Sequence, residues 1–247
     1  MSQPLENVKI LVTGGATGIG EHITRALHRD GATVAVHYNR SVGPAEELAA
    51  ELGERITVIG ADLSDTAAVE KLWGETEEKL GAVHVLVNNA GAWIASPVHP
   101  LEAWEDGWSA NLALNLDAPA RLSRRAIEAF REAGGGSIIS VTSRSAHRGD
   151  DAEHLAYGVA KAGLQNLMKG IARGFGRDGV LAYSVAPGWV DTGLAAGQVD
   201  KSELDHLPLQ EVTPPEEVAE VIAFLASGRA RHLTGATVDV TGADYVR

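Results

Sequence analysis

Short apolar runs rich in β-branched residues recur along the chain, and each is followed by a longer stretch with helical spacing of its apolar positions. The runs at 8–12, 33–38, 56–60, 83–87, 137–142, 180–186 and 236–240 have the length and composition of buried strands. The stretches at 18–30, 44–52, 65–80, 101–132, 154–177 and 215–227 read as helices with one face inward. Strands alternating with helices imply right-handed crossovers and a parallel sheet covered on both sides. The predicted fold is therefore α/β, a single domain over residues 1–247 with a doubly wound, parallel, seven-stranded sheet and helices on both faces. The segment 192–213 breaks the alternation with Gly193, Gly197 and Pro208, with Pro214 and Pro215 directly after it, and carries Leu194 and Leu204. A glycine-bearing loop beyond a late strand predicts a substrate lid; the competing reading is an ordinary surface excursion.

Two features add chemistry to this pattern. The first strand runs straight into Thr13-Gly14-Gly15-Ala16-Thr17-Gly18-Ile19-Gly20, and a helix follows with Ile23, Ala26 and Leu27 on one face. Strand, glycine turn and helix together form the context of a dinucleotide site. Glycines let the backbone approach a pyrophosphate, and the helix start supplies free N–H groups and partial positive charge. The spacing is GxxxGxG, not the GxGxxG of the usual fingerprint. The second feature is Tyr157-Gly158-Val159-Ala160-Lys161, which puts a phenol and an ammonium on one helix face, one turn apart. A phenol ordinarily titrates near ~10, and a neighbouring cation favours the phenolate, so such a pair suits general acid–base work.

Composition narrows the function classes. Among 247 residues, 45% are apolar and 22% charged, an ordinary globular balance. The 21 Lys and Arg against 33 Asp and Glu give a net charge of −12, which argues against a nucleic-acid partner. No apolar run approaches the ~20 residues of a membrane span. The N-terminal Met1-Ser2-Gln3-Pro4 lacks the basic-then-apolar pattern of a signal peptide, so the expectation is a cytoplasmic protein. The chain has no cysteine, and its nine histidines show no metal-ligand spacing, so no metal site is expected.

Further motifs follow in a fixed order: Ala61-Asp62-Leu63 after the third strand, Asn88-Asn89-Ala90-Gly91 after the fourth, Asn115 in the long helix, Ser143 after the fifth strand, and Pro187-Gly188 after the sixth. With Thr13 to Gly20, Tyr157 and Lys161, this series resembles the short-chain dehydrogenase/reductase family over most of the chain, from about Val8 to about Gly242. The resemblance implies a Rossmann-like fold and hydride transfer between a nicotinamide and a carbonyl or secondary alcohol. It implies a cofactor cradle from Thr13, Gly14, Thr17, Gly18, Ile19 and Gly20, with Asp62 and Leu63 at the adenine and Asn89, Ala90 and Gly91 at its ribose. Pro187, Gly188, Val190 and Thr192 would face the nicotinamide. Tyr157 would exchange the proton, Lys161 would lower its pKa and hold the ribose, Ser143 would polarise the substrate oxygen, and Asn115 would hold a relay water.

Two of these positions have rivals. Ser145 competes with Ser143, because the stretch to Tyr157 carries one residue more than the commonest family spacing. Asn111 competes with Asn115; the two lie at i, i+4, and each follows a tryptophan (Trp104, Trp108) by seven residues. Departures from the family include Gly242-Ala243 for a frequent Gly-Gly and no arginine around Gln210-Glu211-Val212. The closest in look are 3-oxoacyl-thioester reductases and sugar or alcohol dehydrogenases, which leaves the substrate open.

At the end of the second strand, Val36-His37-Tyr38-Asn39-Arg40 has no carboxylate to bind a ribose 2′-hydroxyl. Tyr38 takes that position, with Asn39 and Arg40 following, and a guanidinium suits a 2′-phosphate. NADP(H) is the preferred cofactor on this reading, with NAD(H) as the alternative. Trp93, Arg144, His147, His154, Trp189 and Leu194 are candidates for the pocket wall of a small carbonyl or alcohol substrate. The resemblance implies a homotetramer; Leu112, Leu116, Leu122 and Ile127 on one helix and Leu164, Leu167, Met168 and Ile171 on another would suit an interface. A dinucleotide-sensing regulator on the same fold is the alternative function, against which the intact Ser-Tyr-Lys set argues.

Overall fold

The computed structural model describes residues 3–193 and 201–246, with only the backbone described for 201–203. Seven parallel strands form one sheet: β1 (Lys9–Val12), β2 (Thr33–Tyr38), β3 (Ile56–Gly60), β4 (Val85–Asn88), β5 (Gly136–Val141), β6 (Val180–Pro187) and β7 (Thr237–Val240), in the order β3-β2-β1-β4-β5-β6-β7. The chain winds outward from β1 to β3, then returns across β1 to build β4 to β7. The reversal opens a crevice at the C-terminal ends of β1 and β4, where doubly wound sheets bind ligands.

Strand alternation divides the core between the two faces. Ile10 and Val12, Val34 and Val36, and Val85 and Val87 point to one side, under α1 (Gly18–Arg29) and α9 (Pro215–Ala226). Leu11, Ala35 and Leu86 point to the other, under α3 (Thr66–Leu80), α5 (Ala118–Ala133) and α7 (Leu155–Phe175). The remaining helices are α2 (Val42–Leu52), α4 (Leu101–Leu112), α6 (Ser145–Arg148) and α8 (Lys201–His206). Among the described residues no helix is long and apolar enough to cross a membrane.

Two expectations need correction. The long helix expected at 101–132 does run from Leu101 to Ala133, but a π-helical turn at Ala113–Asp117 interrupts it and separates α4 from α5. Leu122, Leu164, Met168 and Ile171, read as interface candidates, are buried in the chain's own core against α3 and the sheet. Outward-facing apolar groups on α7 are instead Leu155 and Val159. The segment 192–213 holds α8, and a β-bridge between Val190 and Thr213 ties its two ends; Leu194 lies outside the described residues.

Candidate active site

The glycine turn is laced to the end of β4. Thr13 Oγ1 accepts hydrogen bonds from the N–H groups of Asn89 and Ala90, both at 3.0 Å, and Asn89 Nδ2 donates to the carbonyls of Thr13 (2.9 Å) and Gly14 (3.0 Å). α1 starts at Gly18 with no side-chain cap from Thr17, so its first N–H groups stay open to a ligand. Gly20 is a glycine for want of space: a Cβ there would lie 1.9 Å from the Gly14 carbonyl oxygen. This cradle fits the pyrophosphate of a dinucleotide. It forms one end of a 1040 Å³ cleft that runs past the ends of β2, β4, β5 and β6.

All the expected cofactor positions line this cleft except Thr13 and Asp62. Thr13 is buried as a tie between strands. Asp62 is exposed, and its carboxylate accepts from Ser64 N (2.9 Å) and Ser64 Oγ (2.7 Å); those bonds and the Arg40 charge hold it below the usual carboxylate range. Asp65, the neighbour, caps α3 by accepting from Ala67 N at 2.8 Å. Tyr38 lays its ring against Gly60 of β3, and Arg40 is exposed at the cleft edge.

At the other end, Ser143, Tyr157 and Lys161 share one wall. The Ser143 hydroxyl accepts from Ser145 N at 3.1 Å, and Ser143 is the neighbour that most lowers the Tyr157 phenol. Ser145 opens α6, and Ser140 is sealed within β5, where its hydroxyl meets Met168 Sδ at 3.2 Å. Lys161 is 3% exposed; its Nζ donates to Val141 O at 3.0 Å and stands 5.7 Å from the Tyr157 ring centroid. Asn115 sits in the π turn and clasps the backbone of Ala92, accepting from its N–H (3.2 Å) and donating to its carbonyl (2.9 Å). A Cβ on Gly91 would lie 2.7 Å from Asn115 Oδ1 and 3.1 Å from Lys161 Nζ, so only glycine admits both groups there. Asn111, the rival, is one turn away and donates to Ile94 O (2.9 Å) and Gly107 O (2.8 Å).

The electrostatics differ from the simple expectation of a phenol lowered by lysine. Burial pushes the Tyr157 phenol up to about 12; the Ser143 hydrogen bond and the Arg144 charge pull against it, and Asp150 adds to it. Burial also draws the Lys161 ammonium down to about 8. For both groups desolvation is the largest influence, and Ser143 and Arg144, not Lys161, are the groups that pull the phenol down.

Trp93 and Trp189 meet edge to face at 5.7 Å on the wall beyond Tyr157. Arg144 is buried over the Trp189 ring, 5.1 Å from its centroid, and pairs with Asp244. Two of the expected wall residues stand elsewhere. His147 faces away from the cleft, stacked on Tyr245 at 5.6 Å, because α6 turns it toward the C-terminal segment. His154 lies behind Trp93, stacked on it at 3.5 Å and bonded to Asp151 at 2.7 Å. Sequence reasoning missed Asp244, which lies past the last strand and outside every motif, and His37, discussed below.

A family model described as enoyl-(acyl carrier protein) reductase matches residues 14–242. The chain is also similar to the crystal structure of a short chain dehydrogenase from Burkholderia cenocepacia J2315 in complex with NADP, with a TM-score of 0.91 at 32% identity, covering 98% of this chain and 99% of that one. The chain belongs to the short-chain dehydrogenase/reductase family. Relatives of this dehydrogenase/reductase include L-rhamnose 1-dehydrogenase (NAD(P)(+)) of Sphingomonas sp., 33% identical over 98% of each chain. They also include 3-oxoacyl-[acyl-carrier-protein] reductase FabG of Vibrio harveyi, 31% identical over 98% of this chain and 99% of the relative. The protein is an NAD(P)-dependent oxidoreductase that works between CH–OH and C=O groups.

Proposed function

We propose that this short-chain dehydrogenase/reductase uses NADP(H) in preference to NAD(H) to interconvert a compact carbonyl compound and its secondary alcohol. The carbonyl is a ketone, a sugar carbon or a 3-oxoacyl thioester. The observation that carries the reading is that Ser143, Tyr157 and buried Lys161 line the same cleft as the glycine cradle. When bound, the nicotinamide supplies or takes up the hydride.

The chain's own residues hold and move the proton. Tyr157 gives its proton to the substrate oxygen during reduction and recovers it in the reverse direction. Ser143 donates a hydrogen bond to the same oxygen and fixes its place. Lys161, held by Val141 O, contributes positive charge beside the phenol and an N–H donor for a ribose. Asn115 braces Ala92 across from Lys161 and leads the proton path toward water. Residues Gly14 to Gly20, with Leu63 and Asn89 to Gly91, hold the adenosine and pyrophosphate, and Pro187 to Thr192 hold the nicotinamide end. Arg40, unopposed by any acid at Tyr38, favours a 2′-phosphate. Trp93 and Trp189 beside Arg144 and Asp244 suit a ring that carries polar substituents.

On this reading residues 1–247 act as one domain with a lid inside 192–213, in a cytoplasmic homotetramer. Leu155 (40% exposed) and Val159 (49% exposed) on α7 give the subunit contact its apolar centre. The test is turnover of NADPH and NADH against matched panels of sugars, cyclic and linear ketones, and 3-oxoacyl thioesters. Oxidation of NADPH by at least one carbonyl, lost in Tyr157→Phe, is the expected result. Turnover that survives this substitution would overturn the residue assignment.

A further inference from the structure

We propose that His37 is a positioning residue for the dinucleotide turn, holding Gly14 in place through the lone pair of its Nδ1. The inference rests on the functional reading above. His37 is 1% exposed and is the penultimate residue of β2. Its Nδ1 lies 3.0 Å from Gly14 N, and its Nε2 lies 3.0 Å from Ala61 O. A backbone N–H only donates and a carbonyl only accepts. The two partners together therefore require one state of the ring: neutral, with the proton on Nε2.

The same residue holds the turn a second time, since its carbonyl accepts from Gly15 N at 3.0 Å. Gly14 has a φ of +60°, and its own carbonyl accepts from Asn89 Nδ2 at 3.0 Å. Its peptide groups are thus fixed from the β2 side by His37 and from the β4 side by Asn89. This matters because the Gly14 carbonyl sits against Gly20, where an added Cβ would come to 1.9 Å. The position of Gly14 therefore sets how closely the turn packs on the start of α1. Through Ala61 the ring also links the turn to the loop that carries Asp62 and Leu63. One side chain thereby holds three segments of the adenosine half of the cleft in register. A histidine that merely filled core volume would need neither bond.

The experiment measures NADPH and NADH affinity by fluorescence titration, together with kcat at saturating dinucleotide, melting temperature, and the 15N spectrum of histidine-labelled protein. His37→Leu removes both ring contacts. The expected result is a loss of about tenfold in affinity for both dinucleotides alike, the scale of one buried hydrogen bond. The turn does not read the 2′-phosphate, so the two should fall together, with kcat at saturation little changed. His37→Asn puts an acceptor near the Nδ1 position and should recover most of the affinity, whereas His37→Gln, whose amide reaches toward Ala61, should not. The 15N spectrum of the wild type should report the neutral Nε2–H tautomer, whether or not the leucine variant folds. An Nδ1–H tautomer, or a leucine variant that melts earlier yet binds both dinucleotides as the wild type does, overturns the proposal alone. A wild type that binds neither dinucleotide overturns the functional reading and the proposal with it.

Discussion

Replacing Lys161 by methionine should stabilise the ligand-free protein while disabling it. The ammonium is buried, and its pKa is drawn from 10.5 to about 8 by desolvation. At about 1.36 kcal/mol per pH unit, holding the charged form inside costs about 3 kcal/mol at pH 7. The hydrogen bond to Val141 O at 3.0 Å works the other way, and bonds from charged donors contribute about 1.5–3 kcal/mol. Methionine keeps most of the volume and removes both terms. The expected net gain is about 1 kcal/mol, or ~2–4 °C in Tm for a chain of this size.

The pH dependence gives the prediction its sign. The unfolded chain keeps the lysine proton up to 10.5, whereas the folded chain releases it near 8. Between those values the unfolded state binds more protons, so wild-type stability rises with pH there. The advantage of Lys161→Met should therefore shrink as pH climbs from 8 toward 10.5. The assay is urea unfolding of both proteins without dinucleotide, at pH 7 and pH 9.5. Saturating NADPH should reverse the ranking at pH 7, because the wild type binds it more tightly. A variant about 1 kcal/mol less stable than wild type at pH 7, or a gap that does not change with pH, would refute the reasoning.

Other substitutions separate the remaining roles. Tyr157→Phe should lower turnover by about 10²–10⁴-fold, the usual contribution of a general acid or base, and leave dinucleotide affinity nearly unchanged; steady-state rates and a binding titration check both halves. Arg40→Ala should weaken NADPH by about 1.5–3 kcal/mol and leave NADH nearly untouched; equal losses would mean that Arg40 does not read the phosphate. Gly20→Ala forces a Cβ to within 1.9 Å of the Gly14 carbonyl oxygen, so either the turn opens and dinucleotide binding fails or the protein loses several kcal/mol of stability. Calorimetry with and without NADPH reads both, and an alanine variant with wild-type affinity and Tm would sink the close-packing argument.

The sheet was legible because each strand alternates cleanly between two covered faces, as Ile10, Leu11 and Val12 do. The glycine turn was legible because close backbone approach leaves a residue-type signature. The asparagine was not, because Asn111 and Asn115 have the same spacing from a tryptophan and the same helical periodicity. A π turn separates them: it sets Asn115 beside Gly91 and Lys161, and no local residue preference announces such a turn. Arg144 and His147 were equally opaque. Arg144 is the N-cap residue of α6 and His147 lies within it, yet one lines the cleft and the other stacks on Tyr245, a contact made by a segment distant in sequence. His37 escaped notice because a lone histidine in an apolar strand reads as core, and its meaning lies in two backbone partners from different elements.

The pKa of Tyr157 also shows why pairing motifs cannot be read as electrostatics. Spacing puts a cation one turn from the phenol, and Coulomb attraction alone would lower its pKa. Burial of the phenol wins instead, and it stands at about 12. Lys161, itself drawn down to about 8, directs its Nζ to a main-chain carbonyl. At neutral pH the resting phenol thus keeps its proton, the form needed to donate to a carbonyl oxygen. Taking a proton from an alcohol requires the opposite form, which costs more the higher this pKa stands. On the proposed assignment, the rate of alcohol oxidation should therefore rise with pH across the alkaline range, while carbonyl reduction stays flat until the phenol begins to ionise. Parallel pH profiles in the two directions would show that Tyr157 is not the group that exchanges the proton.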